Sequence, residues 1–158
     1  MAKARDIPGL GAELPFREAA SLAVGTRADE VWDHEHRVLD TGDIEGVHDM
    51  RVATRRVRAV MEIFEPCFPK KRHRKALKDV KRLADVLGDR RDPDVMIDRL
   101  RSLEAELTDD DRPGIESFVA ELRAGQTESN ERLALELERA RQDKLPERLR
   151  LLAAEVSG

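Results

Sequence analysis

His48-Asp-Met-Arg-Val-Ala-Thr-Arg-Arg-Val-Arg-Ala-Val-Met-Glu-Ile-Phe64, HDMRVATRRVRAVMEIF, is the stretch whose reading decides the fold. At 100° per residue, Met50, Ala53, Val57, Val60, Met61 and Phe64 fall on one side of a helix. His48, Arg51, Arg55 and Arg58 fall in a second, narrow sector with spacing i, i+3, i+7, i+10, and Arg56 stands apart on a flank. The segment is therefore an amphipathic helix whose wet face is cationic, with only Glu62 as an acidic partner in that sector. Like charges at these spacings repel one another, so a polyanionic ligand is the economical reason to gather them. Arginine is the side chain suited to that task, because its fork donates several hydrogen bonds to phosphate oxygens.

Downstream the pattern recurs. Lys71, Lys75, Lys78 and Arg82 share one side of a second helix, and Ala76, Leu77, Val80, Leu83, Ala84 and Leu87 share the other. From His48 to Arg91 there are 14 Lys/Arg against 6 Asp/Glu, a net charge of +8 in a 158-residue chain whose total is −4. The rest of the chain is thus −12. A basic centre within an acidic chain is a localised charge and points to a localised anion site.

Working outward, the sequence predicts an all-α, antiparallel helical bundle with long helices and a basic face. Residues 1–13 are expected to be a flexible lead, and 14–158 a single helical domain. The first helix is expected from Pro15 to Asp40, with Gly25-Thr26 as a weak spot. Thr41-Gly42-Asp43 forms a turn, Gly42 as C-cap and Asp43 as N-cap. The second helix then runs from Ile44 to Phe64, ended by Pro66 and Pro69. A third is expected from Lys70 to Gly88, with Gly88 as a left-handed cap. After a loop at Asp89-Arg90-Arg91, a fourth begins at Asp92-Pro93. A fifth spans about Ile115 to Ala140, and a short last one follows Pro146. No strand-like alternation of useful length is present.

Composition narrows the function classes. No apolar run approaches the ~20 residues of a membrane span, and no apolar signal region follows MAKARDIPGL, so a cytoplasmic protein is expected. The single Cys67 excludes an internal disulfide framework. There is no Walker A loop, HExxH or CxxC pair. Asp89, Asp92, Asp94 and Asp98 are better read as helix-start acids than as a metal cluster, and His34 and His36 are poorly spaced for one metal. No catalytic residue, metal or cofactor is nominated.

Two stretches resemble the CHAD family, the conserved histidine α-helical domain. HDMRVATRRVRAVMEIF is similar to its signature helix, and LADVLGDRRDPDV, Leu83–Val95, to its second hallmark, a Leu-Gly turn followed by Arg-Asp-x-Asp-Val. The resemblance implies a non-enzymatic helical domain that binds inorganic polyphosphate through a basic surface, with association to polyphosphate granules. It places the binding residues at His48, Arg51, Arg55, Arg56, Arg58, Lys71, Lys75, Lys78, Arg82, Arg90 and Arg91, with Arg74 and Lys81 in the second rank. Family domains commonly contain two similar halves, and this chain resembles one of them. A two-fold homodimer is one way to restore the other. About eight contacts near 1 kcal/mol each correspond to roughly micromolar affinity. A nucleic-acid binder or protein adaptor is the alternative. Nucleic acid ranks lower because aromatics are only 3%, and single-strand binders stack bases on aromatic rings.

Overall fold

The computed structural model describes residues 3–104 and 106–156. Residues 1–2, 105 and 157–158, which belong to the expected lead and helical domain, lie outside the described residues. Five α-helices follow one another: α1 Phe16–Trp32, α2 Ile44–Ile63, α3 Lys70–Glu104, α4 Arg112–Gln142 and α5 Leu145–Glu155, with a 3-10 turn at Glu65–Cys67 and no strand among the described residues. Consecutive long helices pack against each other, and α5 closes the bundle against α1. The all-α bundle read from periodicity is the observed fold.

The apolar stripe of α2 is the centre of the core. Val47, Met50, Ala53, Val57 and Met61 are all fully buried, against Val24 and Val31 of α1 and Val80, Leu83 and Leu87 of α3. Leu133 and Leu137 of α4 and Leu149 and Leu152 of α5 complete it. Asp43 caps α2 as its residue type predicts, its carboxylate accepting from the N–H groups of Glu45 and Gly46. Arg37 donates to the same carboxylate at 2.7 Å and holds it below the usual carboxylate range.

Two local expectations, the end of α1 and the course of α3, are corrected. The lead at residues 3–14 is non-helical, and in it Arg27 donates to the Arg5 carbonyl at 2.9 Å while the Arg5 backbone N–H reaches Glu30. Helix α1 stops at Trp32 instead of Asp40, and 33–39 form turns. That early stop lets Val38 enter the core and brings the Arg37 carbonyl against Gly46. A Cβ at Gly46 would lie 2.7 Å from that carbonyl oxygen, so only glycine fits. Gly46→Ala is expected to destabilise the protein by about 1–3 kcal/mol through overpacking, read as a lowered urea midpoint with unchanged slope.

The second correction concerns α3. It does not end at Gly88 and restart at Pro93 but runs for 35 residues with Pro93 inside it. Gly88 is not in a left-handed conformation, and Asp92 is not a cap. Arg90 and Asp94, one turn apart and both fully buried, are paired at 2.5 Å, a contact that exists only if the helix continues. Asn130 accepts from Arg90 at 3.0 Å, and Gln126 donates to Asp94 at 2.6 Å. Helix α4 thus clamps α3 across the point where proline removes a backbone donor. The break expected at Pro146 is present, with Lys144 in the left-handed region at φ 52° between α4 and α5.

Candidate polyanion-binding site

The site forms where α2 and α3 run side by side in opposite directions. Glu62 near the end of α2 accepts from Lys81 of α3 at 3.0 Å and from Arg58 at 3.1 Å. Lys81 first, then Arg58, holds the Glu62 carboxyl below its usual range. Stepping from this contact toward the start of α2, Arg58, Arg55 and Arg51 line one wall of an open groove of about 440 Å³. The opposite wall is Asp85, Asp89 and Asp92 of α3, with Ala84 and Gly88 between them. In the other direction along α3, Lys81, Lys78, Arg74 and Lys71 succeed one another at helical spacing, the last three exposed. The groove and this cationic edge adjoin at the Glu62–Lys81 contact.

Pairing separates this surface from the rest of the molecule. Most arginines beyond it are tied to acids, as in Arg27–Glu30, Arg101–Glu116, Arg141–Glu35 and Arg150–Asp29. Among the described residues, Arg51, Arg55, Lys70, Lys71, Arg74 and Lys78 make no ion pair within 4.0 Å. Unpaired guanidinium and ammonium groups on one exposed surface are hydrogen-bond donors available to an anion.

The residues nominated from sequence divide accordingly. Arg51, Arg55 and Arg58 line the groove, and Lys71 and Lys78 stand on the adjoining edge. Arg74 and Lys81, ranked second from sequence, belong with them. Lys75 leaves this face: it lines a separate hollow with Arg72, Arg148, Leu151 and Leu152 against α5. Arg82 turns toward α4 and is paired with Glu136 and Asp79 at 2.8 and 2.9 Å, contacts that raise its pKa, Glu136 foremost. Arg90 has no exposed surface at all, so it belongs to the core. Arg91 is mostly covered and donates to the Ile44 carbonyl at 3.2 Å, tying α3 to the start of α2. Arg56 is half-buried and lies outside the groove wall.

His48 is half-buried one turn before Arg51 and is not in the groove wall. It instead meets Glu45 and Asp49, whose ligand atoms and its own lie within 4.8 Å of one another. Sequence reading missed this trio, although its i, i+3, i+4 spacing on one helix was the available signal. Asp49 also faces Arg37 at 4.0 Å, which offsets part of the negative charge.

A family model, the CHAD domain, matches residues 22–157. The chain belongs to the CHAD family. The match covers nearly the whole chain and includes both helices that build the groove. No curated protein and no solved structure matches this chain. Among the described residues, no helix of this CHAD domain is long and apolar enough to cross a membrane.

Proposed function

We propose that this CHAD domain binds inorganic polyphosphate, without catalysis, along the groove and the cationic edge of α2 and α3. The observation that supports this most directly is the set of unpaired cations, Arg51 and Arg55 in the groove and Lys71, Arg74 and Lys78 on the edge, in a chain that pairs most of its other arginines. A flexible linear polymer of phosphates presents acceptor oxygens at every residue and can follow such a strip. Single exposed contacts contribute only about 0.2–1 kcal/mol, so affinity rests on many of them and on rebinding along the polymer. The acidic remainder of the chain restricts the polymer to the strip.

The test is titration of labelled polyphosphate with duplex DNA and RNA as competitors at equal phosphate concentration. Selective binding that weakens steeply with salt, and no orthophosphate release in the presence of Mg²⁺, is the expected result. Equal displacement by nucleic acid would put the nucleic-acid reading ahead. The same reading places the protein in the cytoplasm with polyphosphate granules, and co-sedimentation with granules from cells able or unable to make the polymer tests that.

We also propose that the domain self-associates. Beyond Asp94, α3 and the start of α4 carry Met96, Leu103 and Phe118, each more than two-fifths exposed. Leu100 lies five turns from Arg82, and Phe118 five turns from Glu136, so the Arg82–Glu136 contact places these two stripes side by side. A two-fold pairing through these stripes buries the same residues on both copies. Phe118→Asp with Leu103→Asp is expected to convert a dimer to a monomer by light scattering; a wild type that is monomeric at high micromolar concentration contradicts it.

A further inference from the structure

The groove carries its own counter-charge. Starting from the closed Lys81–Glu62 contact at 3.0 Å, each turn along the antiparallel helices sets an arginine of α2 opposite an aspartate of α3. Arg58 comes abreast of Asp85, Arg55 of Asp89, and Arg51 of Asp92, and all six line the same 440 Å³ hollow. Yet among the described residues no ion pair within 4.0 Å crosses the hollow. Asp89 instead lies 3.8 Å from Arg132 of α4, and Arg58 stays with Glu62. The small residues Ala84 and Gly88 leave the space between the walls open.

An anion in this hollow therefore gains three guanidinium groups and faces three carboxylates. Facing like charges oppose it, and the opposition is strongest for a ligand too short to reach cations elsewhere. A long polymer also touches Lys78, Arg74 and Lys71 of α3, which among the described residues make no ion pair within 4.0 Å. We propose that Asp85, Asp89 and Asp92 are specificity-determining residues that weaken the hold of the groove on short phosphates and so reserve the site for long chains. The inference rests on the polyphosphate reading and deepens it. Short anions such as orthophosphate are abundant competitors, and a purely cationic groove would retain them.

The experiment compares the wild type with Asp85→Asn/Asp89→Asn/Asp92→Asn, both checked for helical content, using tripolyphosphate and a polymer of about one hundred phosphates. Titrations are run at one moderate salt concentration, with and without Mg²⁺. The variant is expected to bind tripolyphosphate about tenfold or more tightly than the wild type and to gain less for the polymer, so that discrimination by length narrows. Unchanged or weaker tripolyphosphate binding by the variant overturns the inference while leaving polymer binding by the wild type intact. So does wild-type binding that is strengthened by Mg²⁺ only when the aspartates are present, because the acids would then be holding a cation. Failure of both folded proteins to bind either ligand overturns the polyphosphate reading and this inference with it.

Discussion

Replacing Arg51, Arg55 and Arg58 together with alanine is expected to lower polyphosphate affinity by about 10- to 100-fold, the effect of removing three exposed charge contacts at roughly 0.5–1 kcal/mol each. The helix itself should survive. The three side chains lie on the wet face, opposite Met50, Ala53, Val57 and Met61, and alanine is the best helix former. Only the Arg58–Glu62 pair is lost, and Glu62 keeps Lys81. The slope of log affinity against log salt should fall by about 2, since each cation removed releases fewer counterions. Circular dichroism fixes the fold, and fluorescence titration at two salt concentrations reads both quantities. An affinity unchanged in a folded variant would remove the groove from the site and leave the Lys71–Lys81 edge to be tested alone.

The second large effect is on stability. Arg90→Ala should destabilise the domain by about 3–5 kcal/mol, because it removes the close charge partner of the fully buried Asp94 carboxylate and leaves it only the Gln126 amide at 2.6 Å and Arg91 at 4.0 Å. With a urea slope of about 1–3 kcal/mol per molar, the midpoint drops by one molar or more. The double replacement Arg90→Met/Asp94→Leu should recover most of the loss, since an apolar pair of similar volume carries no desolvation cost. Both variants should bind polyphosphate like the wild type where they are folded, because Arg90 is fully buried. This outcome separates a core arginine from a ligand-binding one. A binding defect in a folded Arg90 variant would restore the role expected from the Arg-Asp-x-Asp-Val stretch.

The two predictions mark the boundary of what local sequence carries. Helical periodicity needs only the order of residues, so α2, its Asp43 cap, its buried Met50–Met61 stripe and its Arg51–Arg55–Arg58 face were all legible before packing was known. So were the all-α class, the CHAD resemblance and the break at Pro146. The course of α3 was not. Gly88 and Pro93 are helix-ending residue types by local preference, and here the buried Arg90–Asp94 pair with Asn130 and Gln126 outweighs that preference.

The membership of the site likewise divides by cause. A stripe drawn from spacing assigned Lys71, Lys75, Lys78 and Arg82 to one side, but a helix in a bundle has neighbours on several sides. Lys75 and Arg82 lie on the flank that α4 and α5 occupy, while Lys71 and Lys78 are exposed to solvent. Within α2 the arginines seemed to have Glu62 as their one acidic neighbour, because the count was taken along a single helix. The aspartates that face them belong to α3 and arrive only through the antiparallel register fixed by Lys81 and Glu62. Sequence by itself determined which faces of the helices are apolar and which are cationic, since both follow from 3.6 residues per turn. Tertiary structure alone decided which cations stay free, because pairing and burial depend on what the next helix brings across the gap.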